Sequence, residues 1–248
     1  MKNLDRLIEI LCDERGEKVP VLSEAQKPDF FRALCNVRPP VPASAEFLSL
    51  QNEYLTGRKI ERGIVNADEL EYKNDIALYK GDITSLNADA IVNAANPAML
   101  GCFHPLHNCI DNAIHSAAGV QLRLECNDVM KGKEALVGDV IVTGAYNLPC
   151  RYVFHTAGPI VGGRVTEKNK TDLKKCYVEC LKKADERALK NIAFCCISTG
   201  IYGYPPEQAA IVAVGAVKEY KATTKSGIKI IFDLFTEKDY DIYNAVIR

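Results

Sequence analysis

From residue 72 onward, short apolar runs alternate with amphipathic helical stretches, and the run IAFCCIST (192–199) is apolar almost from end to end. A strand with one wet face alternates apolar and polar residues, whereas a strand that is apolar throughout must be covered on both faces. NDIALYKGDIT (74–84), DAIVNAAN (89–96), GDVIVTGA (138–145), RYVFHTAG (151–158) and KIIFDLF (229–235) read as further strands. Between them, IDNAIHSAAGVQLRLECNDVM (110–130) reads as one helix with Ile110, Ile114, Ala117, Ala118 and Leu122 on a single face. TDLKKCYVECLKKADERAL (171–189) carries a stripe of Leu173, Cys176, Tyr177, Cys180, Leu181 and Ala184 behind a Thr171 cap. A helix entered through Pro205 and Pro206, and another over 237–247, complete the set. Strands that alternate with helices predict the α/β class, as a three-layer α/β/α sandwich.

Residues 1–71 show no convincing strand and predict an all-helical N-terminal extension ahead of an α/β domain over 72–248. Leu4, Leu7, Ile8 and Leu11 fall at helical spacing. A second helix is expected to end before Pro39 and Pro40, and a longer one to occupy 43–63. No residue of the extension forms a recognisable site, and packing against the main domain is the role expected of it. The first residues, MKNLDRLIEILCDERG, carry acids and no continuous apolar core, so they do not read as a signal peptide. No apolar run approaches the roughly 20 residues that span a bilayer. The net charge of −1 supplies no general attraction to nucleic acid or to an acidic membrane. Ten cysteines scattered through such a chain suggest a reduced, cytoplasmic protein in which most of them are small core residues.

Ligands of open α/β sheets bind at the carboxyl ends of strands. Three such ends are unusual here: KGDIT with Asp82, VNAAN with Asn93 and Asn96, and STGIYGYPPEQAA with its loop from Ser198 to Tyr204. Each has an ordinary reading, as a turn former, a cap or a tight connection. Together they describe a nucleotide-diphosphate site. Asp82 can accept a hydrogen bond from an exocyclic amine. Asn93 and Asn96 can read ribose hydroxyls, since an amide both donates and accepts. The N–H groups of Gly200, Ile201, Tyr202 and Gly203 can cradle a pyrophosphate at a helix N-terminus. Neither a Walker A loop nor a Rossmann glycine fingerprint is present.

The stretch LGCFHPLHNCID (100–111) concentrates two cysteines and two histidines. A metal site, a disulfide between Cys102 and Cys109, and simple core filling all fit the residue types. The compartment disfavours the disulfide. Cys102, His107 and Cys109 form a C-x4-H-x-C set, with His104 as a fourth candidate. Spacing alone weighs metal and no metal equally. Asp111 opens the following helix, either as a general base or as an acid that complements the helix dipole. His115 reads as a helix-face residue rather than a ligand, and His155 has no evident partner.

GDIT, DAIVNAAN, AIHSAAG, GDVIVTGAYNLPCRYVFHTAGP and ISTGIYGYP, in that order over 72–248, resemble the macrodomain family, which binds ADP-ribose. The resemblance implies a macrodomain with a mixed sheet. In it Asp82, with Ile83 beside it, holds the adenine. Asn93 and Asn96 hold the distal ribose, and Ser198, Thr199, Gly200, Ile201 and Tyr202 hold the diphosphate. Where common hydrolytic macrodomains carry a glycine run, this chain has the Cys/His stretch, similar to a zinc-dependent branch of bacteria and some fungi. That branch implies a Zn2+ cofactor on Cys102, His107 and Cys109, with His104 at a variable position and Asp111 and Asn96 as catalytic residues. It further implies hydrolysis of mono-ADP-ribose from protein side chains, with esters on Asp or Glu the accessible linkage. An ADP-ribose reader with structural zinc, or an O-acetyl-ADP-ribose deacetylase, is the alternative. The partners implied are ADP-ribosylated proteins, among them lipoylated carrier proteins modified by a sirtuin-like transferase.

Overall fold

The computed structural model describes residues 2–248. The elements run α1 (Lys2–Glu14), α2 (Lys27–Val37), α3 (Ala45–Arg62), β1 (Val65–Asn66), β2 (Ile76–Tyr79), β3 (Leu86–Asn87), β4 (Ala90–Ala95), α4 (Ile110–Ala118), α5 (Val120–Met130), β5 (Val140–Gly144), β6 (Tyr152–Ala157), α6 (Glu167–Asp185), β7 (Asn191–Phe194), α7 (Pro206–Thr224), β8 (Lys229–Asp233) and α8 (Glu237–Ile247). Six strands form one mixed sheet in the order β2-β8-β7-β4-β6-β5, parallel except for the edge strand β5. Every residue of β7 is buried, as its apolar run demanded.

Chain direction decides which helices cover which face. From β4 the chain passes through α4, α5 and the antiparallel edge strand β5 to reach β6 on one side, and from β6 it passes through α6 back to β7 on the other. Parallel crossovers are right-handed, so steps in opposite directions place α4 and α5 on one face and α6 and α7 on the other. The α6–α7–α8 layer is locked to the sheet by an aromatic chain of Tyr177, Phe194, Phe232 and Tyr243, with successive ring centroids 4.9, 6.3 and 4.9 Å apart. Because β4 and β7 are neighbours whose connections leave to opposite faces, a crevice opens at their carboxyl ends. The loop after β4 and the loop after β7 form its walls.

Three local readings of the sequence change. The helix expected over 110–130 is two helices, broken at Gly119. There φ is +97°, and a Cβ would meet the Gln51 amide at 2.6 Å. Gln51 Oε1 accepts the Val120 N–H at 2.9 Å and so starts α5. Helix α6 begins a turn before Thr171, at a capping box of Thr166 and Asn169. A short strand also precedes residue 70, since Val65–Asn66 pairs in parallel with Leu86–Asn87, and Ala67 joins the main core.

The extension has its own core of Leu4, Leu7, Ile8, Leu11, Phe31, Leu34 and Phe47, closed against Val120 of α5. Ser44 caps α3 by accepting the Phe47 N–H. Helices α2 and α3 both pack on α4. The extension therefore lies beside the loop that feeds α4. No helix among the described residues is long and apolar enough to cross a membrane.

Candidate active site and metal loop

Asp111 sits in the first turn of α4, where the open N–H groups favour a carboxylate, yet its side chain turns inward and is buried. Its Oδ1 accepts from Asn93 Nδ2 at 2.8 Å, and its Oδ2 accepts from Asn96 Nδ2 at 3.4 Å. Burial pushes the Asp111 carboxyl up to about 6, against the opposing pull of the Asn93 hydrogen bond and the Arg123 charge. His115, one turn on, brings Nε2 to 3.6 Å from Oδ1, and burial keeps that ring neutral.

Asn93 departs from the ribose-reading role expected of it. It is fully buried, and its amide nitrogen is shared between Asp111 and His155 Nδ1, the latter at 3.1 Å. Because Asn93 donates to Nδ1, the proton of His155 lies on Nε2, which donates to Thr143 Oγ1 at 3.0 Å. Burial holds the His155 ring down to about 3. A buried relay thus runs from Thr143 through His155 and Asn93 to Asp111. No sequence signal marked His155 or Thr143, since the relay joins residues from three strands, β4, β5 and β6, and the helix α4. Asn96, half-buried at the mouth, also donates to the Gly101 carbonyl at 3.0 Å and ties the strand end to the loop.

Asp82 performs the ordinary turn role as well as facing outward. Its Oδ1 accepts from the Thr84 N–H at 2.9 Å and the Thr84 hydroxyl at 2.7 Å. Oδ2 is left toward Arg62 of α3, whose Nε stands 3.7 Å away. The Ile83 side chain, 1% exposed, belongs to the core, so only its backbone can meet a ligand. Between the extension and α4–α5 lies a cavity of about 280 Å³ with Arg32, Arg62, Asp82, His115 and Arg123 on its walls.

Across the crevice, Ser198 has φ of +68° and accepts the Tyr204 N–H at its carbonyl. Thr199 donates both N–H and hydroxyl to the Cys196 carbonyl. The N–H of Gly203 is spent on the Gly200 carbonyl, so it drops out of the cradle expected of it. The N–H groups of Gly200, Ile201 and Tyr202 have no acceptor among the described residues. The loop is pinned where the Tyr202 carbonyl accepts the Val161 N–H at 2.8 Å. Burial, and then the Asp111 charge, raise the Tyr202 phenol.

The Cys/His stretch brings together the set its spacing suggested. Donor atoms of Cys102, His107 and Cys109 lie within 4.8 Å of one another, with Cys102 Sγ 3.6 Å from His107 Nδ1. His104 is exposed and outside the set, and its carbonyl accepts from Asn112 Nδ2 at 3.0 Å. Both cysteines are free thiols. Cys109 is also the N-cap of α4, where its Sγ accepts the Asn112 N–H at 3.4 Å, a position that favours a thiolate. Burial pushes the Cys109 thiol up to about 11, a resistance that a cation at the triad would offset. Two sulfurs and one imidazole nitrogen are a zinc-type donor set, and three protein ligands leave a coordination position open. The loop can come this close because Gly101, with φ of +82°, lies flat on His115. A Cβ there would meet the ring at 2.8 Å. A second cluster of His115, Cys126 and His155 is buried deeper, but both His155 nitrogens are committed to hydrogen bonds.

A mixed α/β/α sandwich with a crevice at the carboxyl ends of β4 and β7, an unpaired amide cradle and a buried carboxylate is the architecture of a macrodomain. The Macro domain profile matches residues 92–213. A protein-ADP-ribose hydrolase of Treponema medium is 44% identical, covering 97% of this chain and 96% of its own. The Trypanosoma brucei macrodomain in complex with ADP-ribose has a TM-score of 0.65 at 29% identity, covering 100% of this chain and 96% of its own. The Oceanobacillus iheyensis macrodomain with ADP has a TM-score of 0.64 at 34% identity, covering 72% and 93%. The chain belongs to the macrodomain family and, within it, to the protein-ADP-ribose hydrolases.

Proposed function

We propose that the protein is a zinc-dependent hydrolase that removes mono-ADP-ribose from ester-linked Asp or Glu side chains. The observation that carries this reading is the convergence of Cys102, His107 and Cys109 within 4.8 Å on the loop that runs into Asp111. Zinc, if held by Cys102, His107 and Cys109, would supply Lewis-acid chemistry. Two thiolate ligands would donate charge and weaken that acidity, which favours a part in orienting the substrate.

The chain's own residues divide the remaining work. The N–H groups of Gly200, Ile201 and Tyr202, at the entry to α7, receive the diphosphate. Asp82 Oδ2 accepts from the adenine amine, and Asn96 meets the distal ribose. Asn93 and Asn96 hold the Asp111 carboxylate from opposite oxygens. At neutral pH Asp111 is ionised and takes the proton of the attacking water. The leaving group of an ester is a carboxylate, far better than the nitrogen anion of an amide, which favours Asp and Glu linkages. Lipoylated carrier proteins modified by a sirtuin-like transferase are the proposed substrates.

The test incubates Asp/Glu-ADP-ribosylated protein with the native enzyme, its chelator-treated form and Cys102→Ala. Release by the native form alone supports the zinc hydrolase. Equal release by all three sinks the metal's part in catalysis. ADP-ribose binding without release by any form leaves a reader, and release confined to O-acetyl-ADP-ribose leaves a deacetylase.

A further inference from the structure

The extension supplies no group to the chemistry above, yet its second helix reaches the metal loop. Asn36 of α2 is buried, and its Oδ1 accepts the Leu106 N–H at 3.0 Å while its Nδ2 donates to Ser116 Oγ at 3.1 Å. Arg32, one turn earlier, donates Nη2 to the His107 carbonyl at 3.2 Å. Its Nε and Nη2 also donate to Asn112 Oδ1 at 3.1 and 2.7 Å. Asn112 relays that hold to the His104 carbonyl. Three of the four residues from His104 to His107, all but Pro105, are thus gripped from one side.

Leu106 is the unusual member of the turn. Its φ is +55°, its side chain is exposed, and the His107 N–H closes the turn on the His104 carbonyl at 3.3 Å. Proline at the second position and a left-handed residue at the third is the shape of a type II turn, which normally takes glycine at the third. A leucine there persists only where its surroundings over-determine the conformation. The loop's other end is fixed to the same helix. Buried Arg123 donates Nε to the Leu100 carbonyl at 2.7 Å and Nη1 to the carbonyls of Cys35, Asn36 and Arg38 at the end of α2. Its guanidinium lies 4.1 Å over the Phe103 ring.

We infer that α2 is the mould of the metal loop. Asn36 and Arg32 hold Leu106 in its left-handed turn and thereby aim His107 back at Cys102 and Cys109. Both are positioning residues. The metal consequence rests on the zinc reading, whereas the shape of the loop does not. Removing partners of this kind typically weakens a metal site about 10- to 100-fold.

The full chain carrying Asn36→Ala is compared with native protein by amide hydrogen exchange at Leu106, by zinc affinity from chelator competition, and by circular dichroism. Exchange at Leu106 is expected to quicken at least about tenfold, and zinc to bind about 10- to 100-fold more weakly, with an unchanged helical spectrum. Adding Leu106→Gly is expected to return most of the zinc affinity, because glycine adopts the turn unaided. Unchanged exchange and affinity in Asn36→Ala overturn the inference, as does a loss that Leu106→Gly leaves unrepaired. Should Asn36→Ala fail to fold, Arg32→Leu at a half-buried position is read the same way at the His107 amide. Native protein that binds no zinc overturns the metal reading, and exchange alone then decides the mould.

Discussion

Asn93 Nδ2 donates to Asp111 Oδ1 at 2.8 Å, and both side chains are buried, so the hydrogen bond opposes the burial that raises the carboxyl and favours its ionised form. Replacing the amide by an acid reverses that contact. In Asn93→Asp two carboxyl groups meet where one met a donor, and they must share a proton. Turnover is expected to fall about 100-fold or more, the usual contribution of a placed base, with a smaller change in ADP-ribose affinity by calorimetry. Turnover within about threefold of native would remove Asp111 from the chemistry.

With its carboxyl raised to about 6, Asp111 is charged at neutral pH and loses that charge as the pH falls. Hydrolysis that uses the carboxylate therefore declines about tenfold per pH unit below about 6, measured as kcat/KM under single-turnover control. A flat profile between pH 7 and 5 contradicts a base at this position.

His155 predicts an acid sensitivity of the fold. Its ring is held down to about 3 from the ordinary 6.5, so the folded state binds the proton less readily than the unfolded chain. The stability this contributes is complete above pH 6.5 and is lost as pH falls toward 3, by on the order of a few kcal/mol. His155→Leu is less stable at neutral pH, since it strands the Asn93 and Thr143 partners. Its urea-unfolding free energy is expected to fall less steeply with acid, by up to one proton in the slope. An identical slope in both proteins refutes the assignment.

Much of this architecture was legible in the chain, and the parts that were not share a cause. The apolar run of β7 announced a strand covered on both faces, whereas the spacing of Cys102, His107 and Cys109 by itself weighed metal and no metal equally, and only the fold shows their donor atoms within 4.8 Å of one another. The break at Gly119 was hidden because the glycine conformation is imposed by Gln51, many residues away. Asn93 was read as facing a ligand because it ends a strand, but its neighbours Asp111 and His155 come from other elements. Arg32 and Asn36 lie in a stretch with no motif, and only the packing of α2 on α4 gives them meaning. Local periodicity shows which face is inside and stays silent on which polar groups meet there.

Gly101 tests the seat of the loop on its helix. Gly101→Ala puts a methyl 2.8 Å from the His115 ring at a φ of +82°. The variant is expected to lose about 1–3 kcal/mol of stability in thermal unfolding and to displace the loop that follows. A melting temperature equal to native would show that the loop does not rest on His115.

Metal content tests the central claim most directly. Elemental analysis of the purified native chain is expected to find one zinc per molecule, and Cys109→Ala close to none, with hydrolysis of Asp/Glu-linked ADP-ribose following the metal. Native protein that is metal-free and fully active would contradict the account.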